Sequence, residues 1–338
     1  VTKPWSTGDQ LGWESLPDDQ ELEPQATPNI PVEIAQMTQR ASEGSGGKEI
    51  PPLSAAHPYV GLYTPARPAI ATVTGNLRLT GDTSDVDIRH LVLDFGKTVF
   101  PVLEGQSIGI QPPGVDESGH PHHVRLYSVA SPRAGERPGF NNVALTVKRI
   151  TEDEAGNPVC GVASNFLCDL DRGAEVTVTG PFGSTFLMPD DPNARLIMIC
   201  TGTGSAPFRG MTERRRRKNI RGMDGSLHLF FGARRKDGLP YFGPLMKLPP
   251  SLIDVELAFS REPDAPKEYV QDRLRARADD VAELIGDENT FVYICGHKRM
   301  ENGVADALTE ICESHGMDWP SLHEEMRNQG RYHVETYF

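Results

Sequence analysis

The sequence predicts an antiparallel β-barrel followed by a parallel-sheet α/β domain. Three observations carry that reading. From about residue 65 to 180, short alternating stretches are split by Gly and Asp turns, the pattern of antiparallel strands with one buried face. Ala194-Arg195-Leu196-Ile197-Met198-Ile199-Cys200 then ends in a continuous apolar run, the mark of a strand covered on both faces. That run enters Thr201-Gly202-Thr203-Gly204 and a helix, after which strands and helices alternate. A chain of 338 residues has room for two full cores. The expected boundaries are 1–57 for an arm or interdomain linker, 58–188 for the barrel and 189–338 for the α/β domain.

The first segment is polar and turn-rich. Trp5-Ser6-Thr7-Gly8 and Leu16-Pro17-Asp18-Asp19 read as irregular, Ala41-Ser42-Glu43-Gly44-Ser45-Gly46-Gly47 as a linker, and only Pro31 to Gln39 as a short helix. It is either a tail or a tether to an upstream domain, with Trp5 and Trp13 available to pin it. A start at Val1 rather than Met favours a longer parent.

In the barrel, Ala69–Val73, Leu77–Leu79, Ile88–Phe95, Ala144–Arg149 and Glu175–Gly180 read as strands, and Gly105–Gly114 as a strand running into a turn. Six or so such strands suggest closure. Gly161 to Leu170 reads as a helix whose amino end carries Gly161, Val162, Ala163 and Ser164. Its free N–H groups would suit a pyrophosphate; a plain Ser N-cap accounts for the same residues.

In the α/β domain, Leu227–Arg234, Asp254–Ser260 and Asn289–Gly296 read as further strands, with a helix after the glycine turn through Met211 to Lys218 and another from about Lys298 to Ser314. The turn after the first strand departs from G-x-G-x-x-G, because Pro207 stands where the third Gly would be. Pro suits a first helical turn. Ligands of parallel sheets sit at the strands' carboxyl ends. Thr201 to Gly204, Ser260-Arg261 and Cys295-Gly296 all fall at such ends.

Composition narrows the chemistry. The net charge of −13 argues against general nucleic-acid binding. No apolar run approaches the ~20 residues that span a membrane, and no signal peptide is evident. Cys160, Cys168, Cys200, Cys295 and Cys312 lack C-x-x-C spacing, so neither zinc nor an iron–sulfur cluster is indicated and a reduced, cytoplasmic setting is expected. The most informative stretch is Arg125-Leu126-Tyr127-Ser128-Val129-Ala130-Ser131. Alternation places Arg125, Tyr127 and Val129 on one strand face. The run offers a cation, an aromatic plane and a hydroxyl, which a flavin nucleotide needs for its pyrophosphate, its ring and its N5 edge. An ordinary strand with an exposed Arg is the competing reading.

The ordered motifs R-x-Y-S, G-V-x-S, G-T-G-x-A-P, S-R, Y-x-Q, C-G and the terminal H-V-E-T-Y resemble the plant-type ferredoxin–NADP reductase family over residues 65 to 338. The resemblance implies an FAD-binding barrel and an NADP-binding α/β domain. It implies FAD contacts at Arg125, Tyr127, Ser128 and Gly161 to Ser164, with Ala163 where chloroplast members commonly carry Cys. NADP(H) contacts follow at Thr201, Gly202, Thr203 and Gly204, and at Ser260, Arg261, Lys267 and Tyr269 with Gln271 beside them. A hydroxyl, two cations and an aromatic suit a 2′-phosphate, whereas an acidic residue there would select NAD. The catalytic set it implies is Ser128, Cys295, Glu335 and Tyr337: hydride passes from nicotinamide to flavin, and electrons then leave singly to an iron–sulfur acceptor. Cys295 reads as a positioning thiol, and His297 as a strand-end residue. Glu335 would assist proton movement or bond Ser128. Phe338 is a departure, since the stacking Tyr ends the chain in plant-type members; Tyr337 is favoured over Phe338 on motif register.

A narrower resemblance, to the reductase subfamily of benzoyl-CoA epoxidases, rests on Arg125–Arg133 continuing to Asn141-Asn142, on Cys168-Asp169-Leu170 and on Met211–Arg215. It implies aromatic catabolism, an oxygenase component as partner and an iron–sulfur domain ahead of the linker. Arg214 to Lys218 with Arg221 reads either as a solvated helix end or as a docking patch for an acidic electron carrier. The alternatives in function are a general ferredoxin or flavodoxin reductase, an NADH enzyme, and a non-catalytic nucleotide-binding assembly module.

Overall fold

The computed structural model describes residues 50–82, 84–153, 156–218 and 226–337. Trp5, Trp13, the helix expected at Pro31–Gln39, the linker, Arg221, Phe338 and the Tyr337 side chain lie outside the described residues.

Six strands form the first sheet: β1 (Ala69–Arg78), β2 (Ile88–Asp94), β3 (Ser107–Ile110), β4 (Arg125–Ser128), β5 (Asn142–Lys148) and β6 (Glu175–Phe182). Their order is β4-β3-β6-β1-β2-β5, and every pairing is antiparallel. The two outer strands meet where Val129 bridges Leu145 and Ala130 N–H donates to the Ala144 carbonyl at 2.7 Å. The sheet therefore closes on itself. Ala71, Val73, Leu91, Leu93, Ile108, Ile110, Leu145 and Val178 fill its interior. The two short strands expected at 69–73 and 77–79 are one strand; a bulge between Val73 and Gly75 absorbs the extra residue that broke the alternation. Helix α1 (Val162–Asp169) caps the barrel with Leu167 and Cys168.

The second sheet is parallel, with β7 (Arg195–Thr201), β8 (Leu227–Ala233), β9 (Ile253–Phe259), β10 (Thr290–His297) and β11 (Tyr332–Tyr337) in the order β11-β10-β7-β8-β9. Strand β11 is absent from the sequence reading. It carries Glu335 and Thr336 at a sheet edge, which masks its apolar content. The helices are α2 (Ser205–Arg217), α3 (Phe242–Leu245), α4 (Val270–Ala276), α5 (Ala278–Ile285), α6 (Lys298–Ser314) and α7 (Trp319–Asn328). Alternate residues of β7 bury on opposite faces: Ile197 and Ile199 toward α4 to α7, Leu196, Met198 and Cys200 toward Phe208 and Met211 of α2. The chain builds outward from β7 in both directions, so the strand order reverses between β7 and β10. That is where an open parallel sheet leaves a crevice for a ligand.

Candidate active site

Strand β4 lies beside β3, with Ser107 opposite Ser128 and their hydroxyl oxygens 3.5 Å apart. Tyr127 is half-buried against the barrel core, and that burial pushes its hydroxyl pKa up to about 12. Arg125 is exposed. Helix α1 stands close by: its Cys168 thiol adds to the Tyr127 shift, and Arg125 opposes it.

At the amino end of α1 the cap position is Gly161, without a side-chain cap. The Ser N-cap reading is therefore corrected. Ser164 is buried; its hydroxyl donates to the Gly161 carbonyl at 3.2 Å and accepts from Ile150 N–H at 3.1 Å. What this turn offers a ligand is backbone N–H, not the Ser164 hydroxyl. Gly161 lets this turn pack against Ile150, since a Cβ there would lie 2.7 Å from Ser164 Oγ and 2.8 Å from Ile150 Cβ.

On the second sheet, β7 runs into one tight turn, Gly202–Gly204, and then α2. Gly202 sits at φ +55°, the left-handed region that glycine tolerates. A Cβ on Gly204 would overlap the Cys295 carbonyl oxygen. One on Gly296 would lie 2.6 Å from Thr201 Oγ1. The turn thus rests on the end of β10 at the sheet's switch point. Cys295 lies between Cys200 and Glu335 in register. Burial, reinforced by Glu335 and Cys200, pushes its thiol well above the usual range. A thiol held neutral in this way is a poor nucleophile. Tyr337 pairs its backbone with His297, and His297 Nδ1 accepts from Arg299 N–H at 3.2 Å.

Ser260 and Arg261 follow β9, their N–H groups bonded to the Ala233 and Arg234 carbonyls at 3.1 and 2.8 Å. Arg261 and Lys267 are exposed, and Lys267 Nζ lies 5.0 Å from the Tyr269 ring centroid. Nearby carboxylates are engaged elsewhere: Glu262 accepts from Lys236 N–H at 2.8 Å, and Glu268 lies 3.7 Å from Arg273. The cations therefore face solvent without a local counter-charge from those two, the donor set an added phosphate needs. Gln271 is turned into the fold, its amide against Gly303 of α6.

The two halves meet at small residues. Ala130, just past β4, packs with Ala144 of β5 and Ala206 of α2. A Cβ on Gly210 would press the Ser131 carbonyl at 3.0 Å. A continuous set of contacts therefore leads from Tyr127-Ser128 through Ala130 and Ala206 to Gly204 and Cys295.

Within the basic run on α2, Lys218 is exposed while the arginines before it are engaged within the protein. Arg214 binds Asp190 at 2.8 Å and approaches the fully buried Glu104. Arg215 donates to the Pro192 and Ala194 carbonyls, Arg216 to Glu213, and Arg217 to the Gly135 and Glu136 carbonyls. Arg214 and Arg217 are directed at barrel groups and Arg215 at the chain before β7, whereas Arg216 pairs along α2. Sequence reading also missed Arg209, Glu136, His90 and Tyr241, which form one network across the two halves. Arg209 follows Phe208 in the G-T-G-S-A-P-F run, yet nothing in that run names its partner.

A family model, the oxidoreductase NAD-binding domain, matches residues 198–306. The ferredoxin–NADP reductase of Spirulina sp is 39% identical over 288 residues, 82% of this chain and 98% of that protein. The cyanelle ferredoxin–NADP reductase of Cyanophora paradoxa is 40% identical over 285 residues, covering 82% of this chain and 78% of that one. Among solved structures, the ferredoxin–NADP+ reductase from Plasmodium falciparum superposes with a TM-score of 0.66 at 26% identity, covering 82% of this chain and all of that one.

Proposed function

The chain belongs to the ferredoxin–NADP reductase family, and from that premise we propose a general ferredoxin–NADP reductase with its reacting centre where the barrel meets the parallel sheet. It is an NADPH-dependent flavin oxidoreductase using FAD and NADP(H). When bound, FAD supplies the conversion between hydride chemistry and single-electron delivery. The chain's own groups bind and orient. Arg125 and the N–H groups of Val162, Ala163 and Ser164 would hold the FAD pyrophosphate, since the Gly161 N–H is already bonded to the Ile150 carbonyl at 3.0 Å; Tyr127 would lie along the ring and Ser128 at its hydrogen-bonding edge. Thr201 to Gly204 would carry the NADP pyrophosphate. Ser260, Arg261, Lys267 and Tyr269 would select the 2′-phosphate. Cys295 and Glu335 would shape the nicotinamide site, and Tyr337 would cover the flavin. The acceptor is an iron–sulfur protein of the ferredoxin kind.

The observation that carries this reading is the junction of Ala130, Ala144 and Ala206, which brings the β4 exit against the helix that begins at Gly204. Its test is NADPH-dependent reduction of ferredoxin by the yellow holoprotein, with NADH as the comparison. A colourless protein, or one that oxidises neither nucleotide, would end the proposal.

A second reading is the reductase of a benzoyl-CoA epoxidase, passing electrons to an oxygenase component in aromatic catabolism. It is favoured by the Arg125–Arg133 stretch running on to Asn141-Asn142. Those asparagines have structural work, however: Asn141 donates to the Thr98 carbonyl, and Asn142 accepts from Arg137 N–H at 3.1 Å. The general reading is preferred for that reason. Epoxidation of benzoyl-CoA by the reconstituted oxygenase, unsupported by ferredoxin alone, would reverse the order. Among the described residues no helix is long and apolar enough to cross a membrane. The five free cysteines support the cytoplasm as compartment.

A further inference from the structure

We propose that Arg209 is a positioning residue, holding the Gly202–Gly204 turn in fixed relation to the β4 exit through Glu136 and the Ala130 carbonyl. The proposal rests on the hydride-transfer reading above. Arg209 Nη1 donates to the Ala130 carbonyl and to Glu136 Oε2, both at 2.7 Å, and Nη2 donates to Glu136 Oε1 at 2.7 Å. Ala130 lies two residues beyond Ser128, and Arg209 five residues beyond Gly204. On its other side the guanidinium is 5.1 Å from the Tyr241 ring centroid. The Tyr241 hydroxyl is in turn held by His90 Nδ1 at 2.9 Å and Thr146 Oγ1 at 2.7 Å. His90 Nε2 stands 3.3 Å from Glu136 Oε1. Barrel groups from four points in the sequence thus converge on two groups of the α/β half.

Buried ion pairs add little net stability compared with apolar packing, and Ala130, Ala144 and Ala206 already pack this junction. What a two-pronged guanidinium adds is direction. Its planar fork meets a carboxylate and a carbonyl at once, so rotation or sliding of α2 breaks several bonds together. A misplacement of about 1 Å between reacting groups costs on the order of 100-fold in rate. The strand bearing Ser128 and the helix bearing Gly204 are the parts whose spacing such a fork would fix.

The test uses FAD-loaded Glu136→Gln and Arg209→Lys. The first keeps the shape and removes the charge; the second keeps the charge and removes the fork. Rapid mixing with saturating NADPH measures the flavin reduction rate, while 2′,5′-ADP titration and FAD content report on the separate sites. The expected result is a rate lowered at least tenfold in both variants, with 2′,5′-ADP affinity and FAD content within about twofold of the parent. Thermal melts identify the folded fraction, and the rate is taken on that fraction; if one variant does not fold, the other carries the comparison. An unchanged rate in a folded variant, with only the melting temperature lowered, overturns the positioning role. So does failure of both to fold, which would make the network structural. A parent protein that does not reduce its flavin with NADPH would instead remove the function itself.

Discussion

Gly204 rests on the carbonyl of Cys295, with no room for a methyl group between them. Because Cys295 lies near the end of β10 and Gly204 is the cap residue of α2, the contact ties the Gly202–Gly204 turn to the sheet's switch point. Gly204→Ala must push the turn off the strand. The expected cost is about 1–3 kcal/mol of stability, together with weaker 2′,5′-ADP binding. Melting curves and a titration of the purified variant check both.

Arg261 is exposed just past β9, and under the proposed function a 2′-phosphate would lie against it and distinguish NADPH from NADH. Arg261→Ala is expected to raise the KM for NADPH by about 10- to 100-fold, the worth of a charge-assisted hydrogen bond. The NADH parameters should stay level. Steady-state comparison of the two nucleotides decides it, and an unchanged ratio would remove the phosphate from this site.

Much of this was legible in the sequence, for physical reasons. The strands of the second sheet were visible because burial on both faces forces apolar runs such as Ile197–Cys200. The turn at Gly202–Gly204 was visible because glycine answers a backbone demand. Strand β11 was hidden because an edge strand accepts Glu335 and Thr336. The Arg209–Glu136 pair was hidden because its partners lie 73 residues apart and no local pattern couples them. The α2 arginines misled for a related reason. Composition reports charge but not direction, and Arg214 and Arg217 reach barrel groups while Arg215 ties α2 to the chain before β7. At Ser164 the sequence shows a hydroxyl in the first turn of α1 but not that Ile150 and Gly161 engage it.

That inward direction gives a prediction. Arg214→Ala leaves Asp190 without one of its two cations and exposes Glu104 to a thinner counter-charge, although Arg133 still binds both. The expected effect is a loss of about 1–3 kcal/mol in stability, with the KM for ferredoxin unchanged. A ferredoxin KM that rises steeply, with salt dependence and no change in melting, would restore the docking patch.

The buried thiols predict a chemical pattern. Burial holds the Cys200 and Cys295 thiols well above the ordinary range and pushes those of Cys168 and Cys312 up to about 11. Cys160 is exposed. Since the thiolate is the reactive form, iodoacetamide at pH 8 should label Cys160 alone in the folded protein and all five cysteines after unfolding. Peptide mass spectrometry reads the sites. Native labelling of Cys295 would mean a thiol that is reactive despite its burial.

His333 sets a pH dependence. Its ring is buried, stacked on Tyr293 with centroids 4.7 Å apart, and its Nε2 lies 2.8 Å from the Gly330 carbonyl. Nε2–H therefore donates and Nδ1 carries no proton. Burial lowers the pKa from 6.5 to about 4, with the Gly330 bond opposing. Between those values the unfolded chain binds the proton that the folded chain refuses. The stabilisation is complete above pH 6.5 and is lost as pH falls toward 4, with a slope of up to about 1.4 kcal/mol per pH unit. Urea unfolding from pH 7 to 4 should show that decline. His333→Phe keeps an aromatic against Tyr293 and removes the titrating group, so its decline over the same window should be shallower by up to that slope. A variant curve parallel to the parent's would assign the acid sensitivity to other groups.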